Sequence, residues 1–128
     1  MPKLPTVQLA IMQALWRRGQ ATVAQVRQEL EPDRPLAYTT IATMLTKMER
    51  KGLVDHRRDG RTFIYRPLVE RDRVRGSMVA DLVERLFAGD VTELVSHLLD
   101  ECDAKPAELA RLKSLIAQKE KERNRGRK

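Results

Sequence analysis

Between Thr39 and Arg50 the chain carries Thr39, Thr40, Thr43, Thr46, Lys47 and Arg50. Wound as a helix at about 100° per residue, Thr39, Thr43, Thr46 and Arg50 share one side, Lys47 flanks them and Thr40 sits at the boundary. Hydroxyls and cations at that spacing can hydrogen-bond to an array of polar edges and answer negative charge. A second set, Arg57, Arg58 and Arg61, crowds around Asp59-Gly60. Like charges that close repel one another, and become favourable when a polyanion lies beneath them. No nucleophile–base pairing, phosphate loop or carboxylate constellation accompanies these residues, so neither an enzyme nor a cofactor is expected. His97, Asp100 and Glu101 stand at i, i+3, i+4, a spacing that could hold a metal. A solvated helix face is the better reading there, and no metal site is expected. Cys102 is the single cysteine, which excludes an internal disulfide and a multi-cysteine metal centre. It reads as a small hydrophobe rather than a redox switch.

The hydroxyl-rich side needs a helix to carry it. Ile41, Met44, Leu45 and Met48 fall in one arc opposite the threonines, which predicts a helix from Tyr38 to Lys51, closed by Gly52. Its N-cap would be Ala37, a poor cap, leaving amides for a phosphate or a neighbouring segment. Two helices precede it. Val7, Ala10, Ile11, Ala14 and Leu15 predict one over 6–18, with Trp16 in its core and Gly19 as its stop. Thr22 and Gln25 have capping-box spacing at the start of the next, whose Val23, Val26 and Leu30 share a face. After Gly52 the period changes from 3.6 to 2. Asp59-Gly60 predicts a type I′ hairpin pairing Arg58 with Arg61, His56 with Phe63 and Val54 with Tyr65. Val54, Phe63 and Tyr65 would then form an apolar base on the domain, with the arginines at the projecting tip. Three helices and a basic hairpin predict a winged helix-turn-helix over 1–68.

The remainder reads as helical again. Met78, Val79, Leu82, Val83, Leu86 and Phe87 stripe a helix over 69–88. Asp90 and Glu93 have cap spacing for a second, carrying Val91, Leu94, Val95, Leu98 and Leu99. Pro106 opens a third with Leu109, Leu112, Leu115 and Ile116. Three short amphipathic helices bury little surface alone, so 69–117 is expected to be a dimerisation region built on Met78, Leu82, Leu86, Leu94, Leu98, Leu112 and Ile116. Residues 118–128 read as a flexible basic tail. The fold class is thus mainly α with a small β-wing.

Charge divides the chain in the same way. Residues 1–68 hold 12 Lys/Arg against 6 Asp/Glu, a net of +6, whereas residues 76–110 hold 2 against 8, a net of −6. That asymmetry points to a polyanion for the first part only. Aromatic residues are 4% of the chain, too few for a stacking platform on single strands. There is no apolar run long enough to span a membrane and no charged-then-apolar leader at Met1, so a soluble cytoplasmic protein is expected. Double-stranded DNA is the expected partner. A winged-helix protein-interaction module and a sequence-tolerant DNA binder are the alternatives; retardation of the gene's own promoter, and competition by random duplex, separate the three.

The segments "LPTVQLAIMQALWRRGQATVAQV", "LAYTTIATMLTKMERKGLVDHRRDGRTFIYRPL" and "LVSHLLDE" together resemble the penicillinase-repressor family (BlaI/MecI), related to copper-responsive CopY repressors. The "AYTT" start, the "KGLV" joint and the "DGR…Y-x-P" wing stand in order over roughly residues 4–117. The resemblance implies a dimeric winged-helix repressor on a dyad-symmetric operator. It puts groove-reading positions at Thr39, Thr40, Thr43 and Lys47, and wing contacts at Arg58 and Arg61. It also implies a membrane-bound metalloprotease sensor, which cuts an Asn-Phe bond in the dimerisation region of well-known members. The matching position here is His97-Leu98. The copper-responsive branch carries Cys-x-Cys pairs, and this chain has only Cys102.

Overall fold

A computed structural model of the chain describes residues 4–126. Residues 1–3, read above for a leader, and 127–128, the end of the basic tail, lie outside the described residues. The chain forms two compact units, 1–81 and 82–128.

The first unit opens with α1 (Thr6–Arg18), β1 (Ala21–Thr22), α2 (Val23–Leu30) and α3 (Tyr38–Arg50). The strands β2 (Val54–Asp59) and β3 (Thr62–Pro67) follow, and then the first part of α4 (Arg71–Phe87). At the start of α2 the Thr22 Oγ1 accepts from the Gln25 amide at 3.1 Å while Gln25 Oε1 accepts from the Thr22 amide at 2.9 Å. This is the reciprocal cap that the spacing predicts. Ile11, Met12, Leu15, Val26, Ile41, Leu45, Met48, Leu53, Val54 and Val74 are fully buried and form one core. The half-buried Trp16 ties α1 to the segment leading into α4, its Nε1 donating to the Val69 carbonyl at 2.9 Å.

The strand β1 was not expected. Its two residues are too few to show an alternation, and Thr22 serves both as strand and as helix cap. Ala21 pairs with Tyr65 and Thr22 with Ile64, so the sheet order is β1-β3-β2, antiparallel throughout.

The end of α3 decides where the wing goes. Gly52 has φ +78°, its amide donates to the Glu49 carbonyl at 3.0 Å, and the Leu53 amide donates to the Met48 carbonyl at 3.0 Å. That pair of bonds is a Schellman motif, with buried Leu53 supplying the usual apolar contact just beyond the glycine. Strand β2 therefore leaves the helix already anchored in the core at Leu53 and Val54.

The hairpin differs from expectation by one step. Asp59 pairs with Thr62, Arg58 with Phe63, His56 with Tyr65 and Val54 with Pro67. The two turn residues are Gly60 and Arg61, and Gly60 alone takes positive φ, +65°. A glycine at the first central position is the type II′ arrangement; the expected type I′ turn would have forced Asp59 into the left-handed region as well. The shift carries Phe63 towards the tip, where it is 42% exposed, instead of into the apolar base with Val54 and Tyr65.

The boundary expected after residue 68 falls instead inside α4. Val74 is buried in the first unit's core and Met78, one turn on, is half-buried against it. Met78, expected among the dimerisation residues, thus has a partner within the first unit.

In the second unit α4 ends at a turn through Ala88 and Gly89, followed by α5 (Val91–Glu101) and α6 (Pro106–Arg125). Asp90 caps α5, its Oδ1 accepting from the Glu93 amide at 3.1 Å. The segment expected as a flexible tail from residue 118 continues α6 to Arg125. Gln, Lys, Glu and Arg are good helix formers, and Lys119 pairs with Glu122 one turn on at 3.5 Å.

Two substitutions test this account of the first unit. Leu45→Ala removes a fully buried side chain and should cost about 2–5 kcal/mol. Gly52→Ala meets no neighbour within 4 Å, so its penalty is the left-handed backbone alone, about 1–2 kcal/mol. Urea unfolding of the full chain measures both, and Gly52→Ala should be the milder.

Candidate nucleic-acid interface

The threonine side of α3 faces solvent. Thr39, Thr40, Thr43, Thr46, Lys47 and Arg50 are all exposed, while Ile41, Leu45 and Met48 on the opposite side are buried. The helix begins at Ala37 with no side-chain cap, as its sequence predicts. Its first amides are therefore free of any side-chain acceptor.

The predicted residues fall into separate groups. Thr39, Thr40, Thr43 and Lys47, with Met44 as a floor, line one depression of about 250 Å³. Thr46 and Arg50 instead line a cleft of about 340 Å³ between α3 and the wing, together with Glu49, His56, Phe63 and Tyr65. Thr46 Oγ1 donates to the Ala42 carbonyl at 3.0 Å, which commits its proton to its own helix. Of the predicted hydroxyls it is the one least free to donate outward. Arg61 occupies the wing tip within the turn. Arg58 lies over the Phe63 ring, 5.7 Å from its centroid, so its flat guanidinium is held against the wing with its edge free. Arg57 points to the other face of the hairpin, with Ile64 and Arg66.

Some cations elsewhere in the unit have carboxylate partners, whereas among the described residues Arg27, Arg34, Lys51, Arg73 and Arg75 have none. Arg17 and Arg18 share Glu29, and Arg66 grips both oxygens of Asp55 at 2.6 and 3.0 Å. The Arg66 hydrogen bonds hold the Asp55 carboxyl below the usual carboxylate range. Among the described residues, Lys47, Arg50, Arg57, Arg58 and Arg61 make no ion pair. They are free to answer an external anion.

Four residues of the cleft, Glu49, His56, Phe63 and Tyr65, lie outside the predicted set. Glu49 on α3 receives His56 Nδ1 from β2 at 2.5 Å. The His56 ring lies 4.5 Å from that of Phe63 and 5.3 Å from that of Tyr65. Periodicity could not have found the Glu49–His56 contact, because it joins a helix to a strand across the joint at Gly52. Burial raises the Tyr65 phenol above the ordinary tyrosine range, with the negative charge of Glu49 adding to it.

The arrangement offers hydroxyl groups on an exposed helix, unpaired cations beside them and a basic ribbon at one end. A family profile described as penicillinase repressor matches residues 4–118. The transcriptional regulator BlaI of Mycobacterium tuberculosis is 36% identical over 119 residues, covering 88% of this chain and 86% of its own. The penicillinase repressor of Bacillus licheniformis is 23% identical over 115 residues, 90% of each chain. Among solved structures, RosR of H. salinarum shares the fold over 91% of this chain and 94% of its own, at a TM-score of 0.52 and 19% identity.

The raised Tyr65 phenol has a consequence for stability. A folded-state value above the unfolded one leaves stability whole below the unfolded value, about pH 10, and takes it away as pH rises through the folded value. Between about pH 9 and pH 11 the wild-type chain should lose more stability than Tyr65→Phe, read as the difference in urea midpoints.

Proposed function

The chain belongs to the penicillinase-repressor family, and on that premise we propose that it is a dimeric transcriptional repressor that reads a dyad-symmetric operator with α3. The observation that carries the proposal is the exposed depression of Thr39, Thr40, Thr43 and Lys47, flanked by cations without protein partners. An α-helix fits the major groove, where base edges present donors, acceptors and the thymine methyl. Threonine can meet all three, through its hydroxyl and its own methyl, and Lys47 donates to guanine or phosphate. Each good contact contributes about 1–3 kcal/mol of discrimination. The free amides at the start of α3 suit a backbone phosphate. Arg58 and Arg61 on the wing suit phosphates further along, adding affinity without sequence information.

Repression follows from occupancy, since a protein seated on a promoter excludes polymerase. One half-site offers a small set of interactions, and two coupled domains multiply them. The second unit favours a second copy as the coupling, because α5 and α6 bury no residue of their own. Leu82, Leu86, Leu98, Leu112 and Ile116 are exposed and Leu94 is half-buried. Whatever parts the copies would derepress the gene. The family's membrane metalloprotease sensor would act in this way, although His97-Leu98 lies within α5 and a protease would have to unwind the helix to reach that bond. The unpaired cations favour DNA over a protein-interaction module. The groove-facing hydroxyls favour specific over sequence-tolerant binding.

Three experiments test the proposal. The full chain should retard its own promoter fragment at low salt and outlast random duplex by at least about 10³-fold; no retardation removes the repressor reading. Thr43→Ala should narrow the gap between promoter and random duplex. Arg61→Glu should instead weaken both alike, and lower the salt slope by about 0.9 for each phosphate that a protomer no longer neutralises. Leu98→Glu should give monomers in sedimentation and poor promoter affinity. A Leu98→Glu chain that stays dimeric would move the interface elsewhere.

A further inference from the structure

Glu49 is the single acid on α3, and it lies on the surface that carries the unpaired cations. A free carboxylate there would repel the phosphates that Arg50 and Arg58 attract. The structure gives it one partner, the Nδ1 of His56. A carboxylate accepts, so Nδ1 must carry a proton. In the neutral ring Nε2 is then a bare lone pair. Among the described residues Nε2 has no hydrogen-bond partner, and His56 lines the cleft between α3 and the wing. A lone pair presented to a phosphate oxygen there would oppose it. A second proton turns it into a donor and at the same time cancels the charge of Glu49.

We propose that His56 is a DNA-contacting residue that works only as the imidazolium, its Nδ1–H held by Glu49 and its Nε2–H given to a backbone phosphate entering the cleft. The inference rests on the operator-binding reading above and deepens it. The proton comes from solvent, so each protomer takes up at most one proton as it binds. Charged groups of both signs surround the ring. Arg50 on α3, Arg57 and Arg58 beside it on β2 and Arg66 on β3 oppose the proton, while Glu49 on α3 and Asp55 on β2 favour it. The Tyr65 phenol packed against the ring is neutral at these pH values. An arriving phosphate brings negative charge to the ring and so favours the second proton. The same contact joins the last turn of α3 to the wing, and Phe63 stacks on the ring with Arg58 above it. Protonation thereby acts on groove reading and wing grip together.

Imidazole changes charge between about pH 5 and pH 8, and the chain has two histidines, His56 and His97. Affinity of the full chain for its promoter fragment should therefore be measured across that range at fixed ionic strength. Wild type should weaken as pH rises, by up to about tenfold per pH unit per protomer. His56→Gln should bind at high pH much as wild type does and lose the pH dependence, while His97→Gln should keep it. Glu49→Gln, which retains an acceptor for Nδ1 but not its charge, should move the fall in affinity to lower pH. Circular dichroism confirms that each variant is folded; should His56→Gln fail to fold, the Glu49→Gln profile decides alone. Promoter binding that is flat with pH, or a slope retained in His56→Gln, overturns this assignment and leaves the repressor reading intact. Absence of promoter binding at every pH overturns both.

Discussion

At Gly52 the backbone passes through φ +78°, and the Leu53 amide turns back to the Met48 carbonyl. Everything that the first unit presents to a partner is arranged about that joint. On one side, Met48, Leu45 and Ile41 hold α3 against the core, which leaves the threonine side no direction but outward. On the other, Leu53 and Val54 are buried at once, so β2 starts from a fixed point and cannot slide along the helix. Because side chains alternate along a strand, fixing Val54 inward also fixes His56 and Arg58 on the same face and Arg57 on the other. A left-handed residue just beyond α3 thus determines which arginines accompany it. An L-residue at that position would be strained at about 1–2 kcal/mol, enough to loosen the joint without unfolding the unit.

Cations of the first unit are either engaged with a carboxylate or left without one. Arg17, Arg18 and Arg66 have carboxylate partners, and Lys47, Arg50, Arg58 and Arg61 have none among the described residues. Exposed ion pairs contribute little to stability, so the pairing is not what keeps the fold together. Its effect is on the field outside the protein. Paired cations add little to that field, and the unpaired ones on α3 and the wing raise it beside the exposed threonines, which is where the proposed DNA contact needs it. Phe63 belongs to this arrangement despite being apolar. Exposed on the wing, it gives the Arg58 guanidinium a ring to rest against, 5.7 Å from its centroid, which limits the rotamer freedom of that arginine.

Periodic elements were legible in the sequence, and contacts between them were not. The span of α1, the start of α3 at Tyr38, the Thr22–Gln25 cap, the Asp90 cap and Pro106 at the head of α6 all follow from local rules. Local rules operate within a few residues, and these features are no larger. The outward side of α3 was legible for the same reason, since a helix with one apolar arc has only one other side. The hairpin register was not, because Asp59-Gly60 and Gly60-Arg61 both contain the glycine that a primed turn needs. The choice between them depends on whether Asp59 can adopt positive φ, and it also decides whether Phe63 is core or surface. Strand β1 exists only because β3 passes beside it, and two residues carry no period. The Glu49–His56 contact likewise depends on the angle at the joint. Met78 shows the reverse case, in which a residue of a correctly read helical stripe has a partner the period could not reveal, the first unit's core, against which it is partly buried.

The second unit shows why the amphipathic pattern matters beyond its own helices. Leu86 is 70% exposed and Ile116 55%, and neither α5 nor α6 contains a buried residue. Single exposed leucines are ordinary, but stripes on consecutive helices are not, because each exposed face forfeits the burial that would stabilise it. If a second copy covers them, the stability of this unit depends on protomer concentration, as does the coupling of two DNA-reading domains. Folding of the second unit and occupancy of the operator are then linked through one equilibrium. In such a dimer a modest perturbation of α5 or α6 would act at a distance from α3 without any conformational signal passing between them: it would lower the dimer population, and binding would fall because a lone domain lacks its neighbour's hold on the DNA. Such control needs no ligand pocket in the DNA-reading unit, whose helix and wing can stay rigid while occupancy is set elsewhere.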